Sequence, residues 1–175
     1  MDKTISFIGT KTKYQMKKVM NDCNNKLNKK KINYSNLNLL EINQFEIINN
    51  IISNDDNKNE TKEVIKAILN KLSSYKQQDI LKEKYNNKEF ITFNEVIILL
   101  EKCNLNCYYC NSNIYLLYDI VREKKQWTLD RINNSYGHNN NNVVVSCLEC
   151  NLKRGNTNKE AFLFTKKMKI IREEY

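Results

Sequence analysis

Several residue types on which common enzyme folds depend are scarce in this sequence. The 175 residues contain no proline, three glycines and a single histidine, His138. The glycines, at positions 9, 137 and 155, lie too far apart for a glycine-rich dinucleotide turn or a phosphate-binding P-loop. A single histidine also excludes the zinc proteases and other metal centres that need two imidazole ligands. Enzymes of the dinucleotide-binding and P-loop folds and these metalloenzymes are therefore ruled out.

Long apolar segments are missing too. The longest uninterrupted apolar run extends from Val96 to Leu100, and the N-terminal stretch MDKTISFIGTK lacks the apolar core of a signal peptide. We therefore expect a soluble protein of a reducing intracellular compartment, without a membrane partner. The length suits one catalytic domain with a helical extension.

Positive charge is in excess. The formal net charge is +9 and the sequence pI is about 9.2, which is typical of proteins that bind nucleic acid or another polyanion. Most of the excess lies in residues 1–35, with a net charge of +7, and in residues 127–175, with +3. AT-rich coding bias, also visible in the thirty asparagines, would raise the lysine content without any function. The lysines at 29–31 are accordingly either a nucleic-acid contact or a solvated surface.

The cysteines form the strongest pattern in the chain. Thirty-six residues separate two C-x2-C pairs, Cys107 with Cys110 and Cys147 with Cys150. Because intracellular thiols stay reduced, this spacing predicts tetrahedral zinc coordination and not a disulfide framework. A closed site of four thiolates organises structure and does not catalyse. The two remaining cysteines, Cys23 and Cys103, are expected to be ordinary thiols.

An alternative metal centre would use the first pair differently. Cys103, Cys107 and Cys110 read C-x3-C-x2-C, which resembles the iron–sulfur loop of radical S-adenosylmethionine enzymes. Those enzymes need a long series of strands and helices after the loop, but only sixty-five residues follow Cys110. The second C-x2-C pair would also stay unexplained. We therefore prefer zinc, which a brown iron–sulfur chromophore would contradict.

The first half of the chain predicts helices. Glu60 to Tyr75 carries one apolar stripe at helical spacing, and the broader apolar set of Leu39 to Ile52 predicts another helix. The polar segment Asn54 to Asn59 predicts the loop between them. Residues 1–75 show no recognisable chemistry, and we take them as a basic helical N-terminal region of unknown role.

The second half predicts both helices and strands. Thr92 with Glu95 forms a capping box that begins a helix ending at Leu100 or Glu101. Aromatic and β-branched residues predict three short strands, Ile114–Val121, Trp127–Ile132 and Val143–Val145, with the polar loop Asn133–Asn142 between the last two. A second capping box predicts a C-terminal helix from Thr157 and Glu160, with an apolar face of Ala161, Phe164, Met168 and Ile171.

The pair Cys107-x2-Cys110, followed by the segment WTLDRINNSYGHNNNNVVVSCLECNLKRG, resembles the HNH endonucleases of the His-Me finger group. The resemblance covers residues 76–175 and looks closest to HNH-like proteins of large DNA viruses and phages. For a viral protein the compartment would be the host cytoplasm or nucleus. The resemblance implies an α+β fold, in which a helical N-terminal region precedes a ββα-metal finger that a four-cysteine zinc site stabilises.

The resemblance also implies roles for individual residues. Asp130 matches the acid that binds the catalytic cation, Mg²⁺ or Mn²⁺, and Asn151 matches the helix residue that completes the coordination. Both offer the hard oxygen ligands that Mg²⁺ prefers. Asn142 matches the middle asparagine that holds the loop, although the run Asn139–Asn142 leaves the register open by one position. Lys153 and Arg154 would hold adjacent phosphates of DNA, and the alternative for both is a solvated helix end.

One position departs from the family. HNH enzymes place the general-base histidine directly after the acid, where this chain has Arg131. Arginine stays protonated and cannot accept a proton, but it can clamp a phosphate oxygen. His138 in the hairpin loop is the candidate substitute, because an imidazole with a pKa near 6.5 suits general-base work. It is either that base or an exposed bystander.

Two functions stay open at this point. The first is a metal-dependent HNH endonuclease that hydrolyses phosphodiester bonds in DNA, with catalytic residues Asp130, Arg131, His138, Asn142 and Asn151. The second is a catalytically degenerate HNH zinc module that binds nucleic acid without cleaving it. The sequence favours the nuclease, because Asp130 and Asn151 are both present, and Arg131 is the residue that separates the two interpretations.

Overall fold

The computed structural model of the chain describes Leu37, Leu39 and residues 42–53 and 58–168. Predictions for residues 1–36, for Cys23, for Ile171 and for most of the loop at 54–59 lie outside this part. Helices and a two-stranded antiparallel sheet occur together, which agrees with the predicted α+β class. In chain order the elements are α1 Gln44–Ile52, α2 Asn59–Leu81, α3 Phe93–Lys102, β1 Trp127–Arg131, β2 Val143–Cys147, α4 Leu148–Arg154 and α5 Lys159–Lys167.

Both predicted helices of the first half are present with different bounds. α1 begins five residues later than predicted, because Asn43 is its N-cap and accepts a hydrogen bond from the backbone N–H of Glu46 at 3.4 Å. α2 continues to Leu81, and its buried stripe extends past the last apolar residue to the buried carboxylate of Asp79. α2 therefore crosses residue 76, where the sequence predicted a domain boundary, and both helices belong to the compact unit Ile32–Tyr175.

The capping box of α3 is confirmed. The hydroxyl of Thr92 accepts a hydrogen bond from the backbone N–H of Glu95, and the Glu95 carboxylate accepts one from the N–H of Thr92 at 2.7 Å. Helices α1 to α3 pack on one another, and their buried side chains join those of the sheet in one apolar core. Trp127 of β1 is fully buried in this core. The hairpin is therefore anchored in the core that the helices form.

The predicted strand Ile114–Val121 is wrong. The segment makes only isolated bridges, such as Tyr115 with Gln126. Its backbone is bound by a side chain of α1 instead of a neighbouring strand, because Gln44 Oε1 accepts from the N–H groups of Leu116 and Leu117 at 2.7 and 3.0 Å. Both leucines are buried. The apolar pattern therefore predicted burial correctly, but the predicted strand is absent.

The hairpin strands are confirmed. β1 and β2 pair antiparallel in a register that sets Trp127 opposite Cys147 and Arg131 opposite Val143. The connection between them contains a short 3-10 turn, Asn140–Asn142, and α4 follows β2 directly. The chain order of hairpin and helix is therefore the one that the HNH resemblance implies, whereas a ββα-metal fold needs the further evidence of a bound cation.

The C-terminal helix is present, but its predicted cap and face are wrong. Asn158, not Thr157, is the N-cap of α5, and its side chain accepts hydrogen bonds from the N–H groups of the first turn. Phe162 is the buried residue of the helix and packs edge-on against Tyr109 with ring centroids 5.0 Å apart. Phe164 is 68% exposed. The helix therefore packs through Phe162, and the predicted face is turned toward solvent.

Candidate metal centre and hairpin site

The four cysteines of the two C-x2-C pairs converge. Their sulfur atoms all lie within 4.8 Å of one another, and the Cys110 and Cys147 sulfurs are 3.9 Å apart. In a tetrahedral site with Zn–S bonds of about 2.3 Å, two sulfurs lie about 3.8 Å apart. The cluster could therefore hold a metal such as zinc with little adjustment.

Backbone hydrogen bonds position the two pairs. The N–H of Tyr108, between the first two cysteines, donates to the carbonyl oxygen of Val145 in β2 at 3.0 Å. Cys147 ends β2 and caps α4, because its sulfur accepts from the N–H of Cys150 at 3.4 Å. A hydrogen bond from Cys147 lowers the pKa of Cys107 to about 4. The direction of this shift favours the thiolate, which is the form that a metal binds.

Cys103 stands apart from this cluster. Its thiol lies 3.3 Å from the carbonyl oxygen of Leu100 at the end of α3, and burial raises its pKa. In the described part of the chain, the group of potential metal ligands consists of the two C-x2-C pairs without Cys103. This arrangement favours the predicted zinc ligands over the iron–sulfur alternative.

Asp130 is buried, and both of its carboxylate oxygens have partners. Tyr109 donates its hydroxyl to Oδ2 at 2.7 Å, and Arg154 donates Nη1 to Oδ1 at 2.7 Å. Burial raises the pKa of Asp130, whereas the hydrogen bond from Tyr109 and the charge of Arg154 oppose that rise. Burial and the neighbouring carboxylate also raise the pKa of Tyr109. Tyr109 therefore stays a hydrogen-bond donor.

Arg154 does not occupy the position that the sequence predicts for a phosphate contact. It is 2% exposed, and besides Asp130 its guanidinium binds the carbonyl oxygens of Arg131 at 2.7 Å and Ile132 at 2.9 Å. The guanidinium thus joins α4 to the end of β1. Arg154 therefore contacts an internal carboxylate and not a phosphate. Lys153, by contrast, is exposed and pairs with Glu149 at 2.8 Å.

Asn151 lies on α4 beside β1, but its contacts are with the strand and not with Asp130. Its side-chain amide donates to the hydroxyl of Thr128 at 3.1 Å and to the carbonyl oxygen of Leu129 at 3.4 Å. The two predicted ligands of the catalytic cation are therefore on adjacent elements with separate partners. Both Asp130 oxygens are hydrogen-bonded and the residue is 4% exposed, so a divalent cation here would compete with Tyr109 and Arg154 for the carboxylate.

Asn142 closes the hairpin loop. Its amide nitrogen donates to the carbonyl oxygens of Asn133 at 3.0 Å and Gly137 at 2.9 Å, and its amide oxygen accepts from the N–H of Asn133 at 2.9 Å. This geometry agrees with the loop-holding role that the resemblance implies, at the register of residue 142. Arg131 lies at the start of the same loop and donates Nη1 to the carbonyl oxygen of Tyr136 at 3.1 Å.

His138 is neither exposed nor unattached. It is 5% exposed; its Nδ1 lies 2.9 Å from Oδ1 of Asp79, and its backbone N–H donates to Oδ2 of Asp79 at 2.6 Å. The ring stacks on Tyr75 with centroids 4.4 Å apart. Burial lowers the pKa of His138, although the Asp79 carboxylate opposes this. The exposed-bystander alternative is therefore wrong, and a base at this position would act from a buried ring.

Gly137 permits that attachment. A Cβ at this residue would lie 2.5 Å from the carbonyl oxygen of Lys84 and 2.8 Å from the Asp79 carboxylate, closer than atoms can approach. The loop therefore reaches α2 only because residue 137 has no side chain.

Sequence reasoning missed Tyr109 and Asp79. Tyr109 stands between two cysteines, and the spacing of the pair gives it no role. Asp79 continues the stripe of Val64, Ile68, Leu72 and Tyr75 at the next helical turn, and a carboxylate on a buried stripe is a signal that a partner exists elsewhere in the chain. That partner is the histidine of the hairpin loop.

Comparison with known proteins finds no matching family model, no matching curated protein and no matching solved structure. No helix in the described residues is both long enough and apolar enough to span a membrane.

Proposed function

We propose that the chain is a zinc-stabilised, HNH-like module that binds nucleic acid, with DNA as the expected partner, and that its hairpin site is closed to a catalytic cation. The four cysteines would hold one Zn²⁺, which ties the first cysteine pair to α4. One observation carries the proposal: Asp130 is buried with its carboxylate bound by Arg154 and Tyr109. A guanidinium lies where the resemblance would put a metal ion.

Opening this site would be costly. A divalent cation that took Oδ1 of Asp130 from Arg154 would leave the guanidinium buried without a counter-charge. Removing one partner of a buried ion pair typically costs about 3–5 kcal/mol. The remaining partners of Arg154 are backbone carbonyl oxygens, which cannot neutralise its charge. The pair therefore supports a structural role for Asp130.

The nucleic-acid part of the proposal rests on charge and on the HNH resemblance. Arg131 uses Nη1 to hold the hairpin loop, and a guanidinium has five N–H donors, so others can contact a phosphate. Lys82 is exposed, and its charge, like that of Arg131, lowers the pKa of His138 in this loop. Contacts of this kind hold the phosphate backbone without reading its sequence.

Binding can be tested with the full chain, loaded with zinc. We expect a fluorescently labelled DNA duplex to bind with an affinity that falls steeply between about 50 and 200 mM salt, because phosphate contacts release counterions. Arg131→Gln should reduce the slope of log affinity against log salt by about one. Lys66→Gln, on the exposed side of α2, is the matched control and should leave the slope unchanged. Absence of binding at low salt, to a duplex or to a single strand, would refute the proposal.

Cleavage is a separate measurement. We expect supercoiled plasmid to stay intact with Mg²⁺ or Mn²⁺ at levels of protein that saturate binding. Nicking by the wild type that disappears in Asp130→Ala would overturn the closed-site proposal, provided that both proteins contain the same amount of zinc.

A second candidate is the metal-dependent endonuclease, and one observation favours it. The contact of Nδ1 of His138 with Asp79 orients the imidazole in the manner of a general base, which would accept a proton at Nε2. On this candidate, Asp130 would have to leave Arg154 when a cation and DNA bind, and His138→Gln should reduce cleavage by about 100-fold or more.

A further inference from the structure

A polar pocket lies beside the hairpin loop. It has a volume of about 350 Å³, which is within the range of small-ligand sites. One carboxylate, several side-chain amides and one aromatic ring line it: Glu89, Asn133, Tyr136, Asn139, Asn141 and Asn142. Groups of these kinds hydrogen-bond and stack on a planar polar ligand.

The side-chain amides of this pocket differ in which of their hydrogen-bonding groups are free. Both ends of the Asn142 side chain are used within the loop. Asn139 donates its amide nitrogen to Glu89 Oε2 at 2.8 Å, but its amide oxygen is buried with no hydrogen-bond partner in the described residues. Asn139 is 4% exposed. An unsatisfied buried carbonyl is unfavourable, so the Asn139 side chain is held here by its contact with Glu89 and not by a bond to its oxygen.

Glu89 is held at the rim of the pocket. Its backbone carbonyl oxygen accepts from the N–H of Asn140 at 3.0 Å, and Asn139 fixes one oxygen of its carboxylate. The residue is exposed, and its other carboxylate oxygen has no hydrogen bond to the described part of the chain. A carboxylate in this state is positioned to accept hydrogen bonds from a ligand.

Tyr136 supplies an aromatic surface next to a cation. It is 60% exposed, and Arg131 binds its carbonyl oxygen at 3.1 Å. Exposed aromatic rings beside basic groups are how proteins stack unpaired bases while they hold the phosphate backbone. Tyr136 and Arg131 therefore suit a base and its phosphate.

We propose that this pocket binds an unpaired guanine of a nucleic-acid strand, with the base stacked on Tyr136, its N1–H and N2 amino groups donating to Glu89, and its phosphate on Arg131. The proposal rests on the nucleic-acid binding proposed above. Guanine is the base that presents two adjacent N–H donors on its Watson–Crick edge, which match the two oxygens of a carboxylate. Uracil and thymine offer one N–H between two carbonyl oxygens, which Glu89 would repel. On the same edge, adenine and cytosine present an amino donor next to a ring nitrogen that is an acceptor.

A divalent cation is a weaker occupant of the same pocket. Glu89 is the one carboxylate that lines it, and in the described residues the group of potential metal ligands with three or more members is the cysteine cluster. A site with one carboxylate and amides has little charge to offset the dehydration of Mg²⁺.

The test compares single strands that differ in one base. A labelled oligothymidine with one central guanine should bind the full chain about tenfold more tightly than the same strand with hypoxanthine, which lacks the N2 amino group. Glu89→Gln removes a negative charge and would strengthen binding to any polyanion, so the readout is the ratio of the two affinities. We expect that ratio to fall to about one in Glu89→Gln. Glu101→Gln, an exposed glutamate of α3, controls for charge and should keep the ratio.

The stacking contact has its own variants. Tyr136→Ala should weaken binding of the guanine strand by about tenfold, and Tyr136→Phe should keep it, because stacking needs the ring and not the hydroxyl. Tyr108→Ala, an exposed tyrosine at the cysteine cluster, should have no such effect. Guanosine monophosphate should compete with the labelled strand only weakly, because it lacks the neighbouring phosphates.

The outcomes separate the two proposals. Equal affinity for guanine and hypoxanthine strands in the wild type would refute the guanine pocket while nucleic-acid binding stands. Failure of every strand and duplex to bind would refute both. Competition by the free nucleotide at the affinity of the strand would show a nucleotide site in place of a strand site.

Discussion

Lys71 on α2 provides a quantitative test of how burial sets chemistry in this fold. Its ammonium group donates to Gln126 Oε1 at 3.0 Å and to the carbonyl oxygen of Trp127, and lies 4.8 Å from the centre of the Trp127 ring. In the described part of the chain no carboxylate forms an ion pair with it. Burial lowers the pKa of Lys71 from 10.5 to about 7.

This shift makes stability depend on pH. Between pH 7 and 10.5 the unfolded chain holds a proton on Lys71 that the folded chain releases, so the free energy of unfolding rises with pH. Each pH unit contributes about 1.4 kcal/mol. From pH 7 to pH 9 the wild type should therefore gain about 2 kcal/mol relative to a variant without the amine, because about half of the folded molecules have already released the proton at pH 7. The full effect of the shift is on the order of 5 kcal/mol.

The assay is urea unfolding of the zinc-loaded wild type and of Lys71→Met at a series of pH values from 7 to 9. Zinc binding and the other titrating groups act on both proteins, so the difference between their free energies of unfolding isolates Lys71. Lys66→Met, on the exposed side of the same helix, should follow the wild type at every pH. Parallel curves for wild type and Lys71→Met would mean that Lys71 keeps its ordinary pKa, and the reasoning from burial would be refuted.

Three further predictions concern the cysteines and the hairpin loop. Cys110→Ser should lose about one zinc per chain by atomic absorption, whereas Cys103→Ser should keep it; zinc loss in Cys103→Ser would overturn the ligand assignment. Asp79→Asn should lower the free energy of unfolding by about 3 kcal/mol, because it removes the buried negative charge beside His138 and replaces one of its two acceptor oxygens with an amide donor; an unchanged urea midpoint would contradict this. Asn142→Ala should cost about 2 kcal/mol through three lost hydrogen bonds, which hydrogen exchange of the loop amides should reveal as faster opening.

Local sequence patterns predicted the elements well where the partner of each residue was close in the chain. The Thr92 capping box and the hairpin strands depend on neighbours within a few residues, and both are present. The segment after the first cysteine pair failed because its backbone is bound by Gln44, about seventy residues earlier in the chain. No periodicity within the segment can report so distant a partner.

The same distinction between near and distant partners applies to the candidate site. The spacing of the cysteines reflects the geometry of a metal with fixed bond lengths, so the cluster could be predicted from four positions. The environment of His138 could not, because it depends on Asp79, fifty-nine residues away on α2. A motif identifies which residues stand near a site, but the partners that set their charge and accessibility come from elements outside the motif.

The buried position of Arg154 follows from helix geometry. Cys150 and Arg154 are four residues apart on α4 and therefore share a face of the helix. Cys150 must point at the cysteine cluster and the sheet, so Arg154 must point inward too, while Lys153 points to solvent. An inward guanidinium needs a buried carboxylate, and Asp130 on the adjacent strand is the acid that the hairpin supplies. The same helical spacing that places the second cysteine pair thus commits the predicted cation ligand to an internal ion pair.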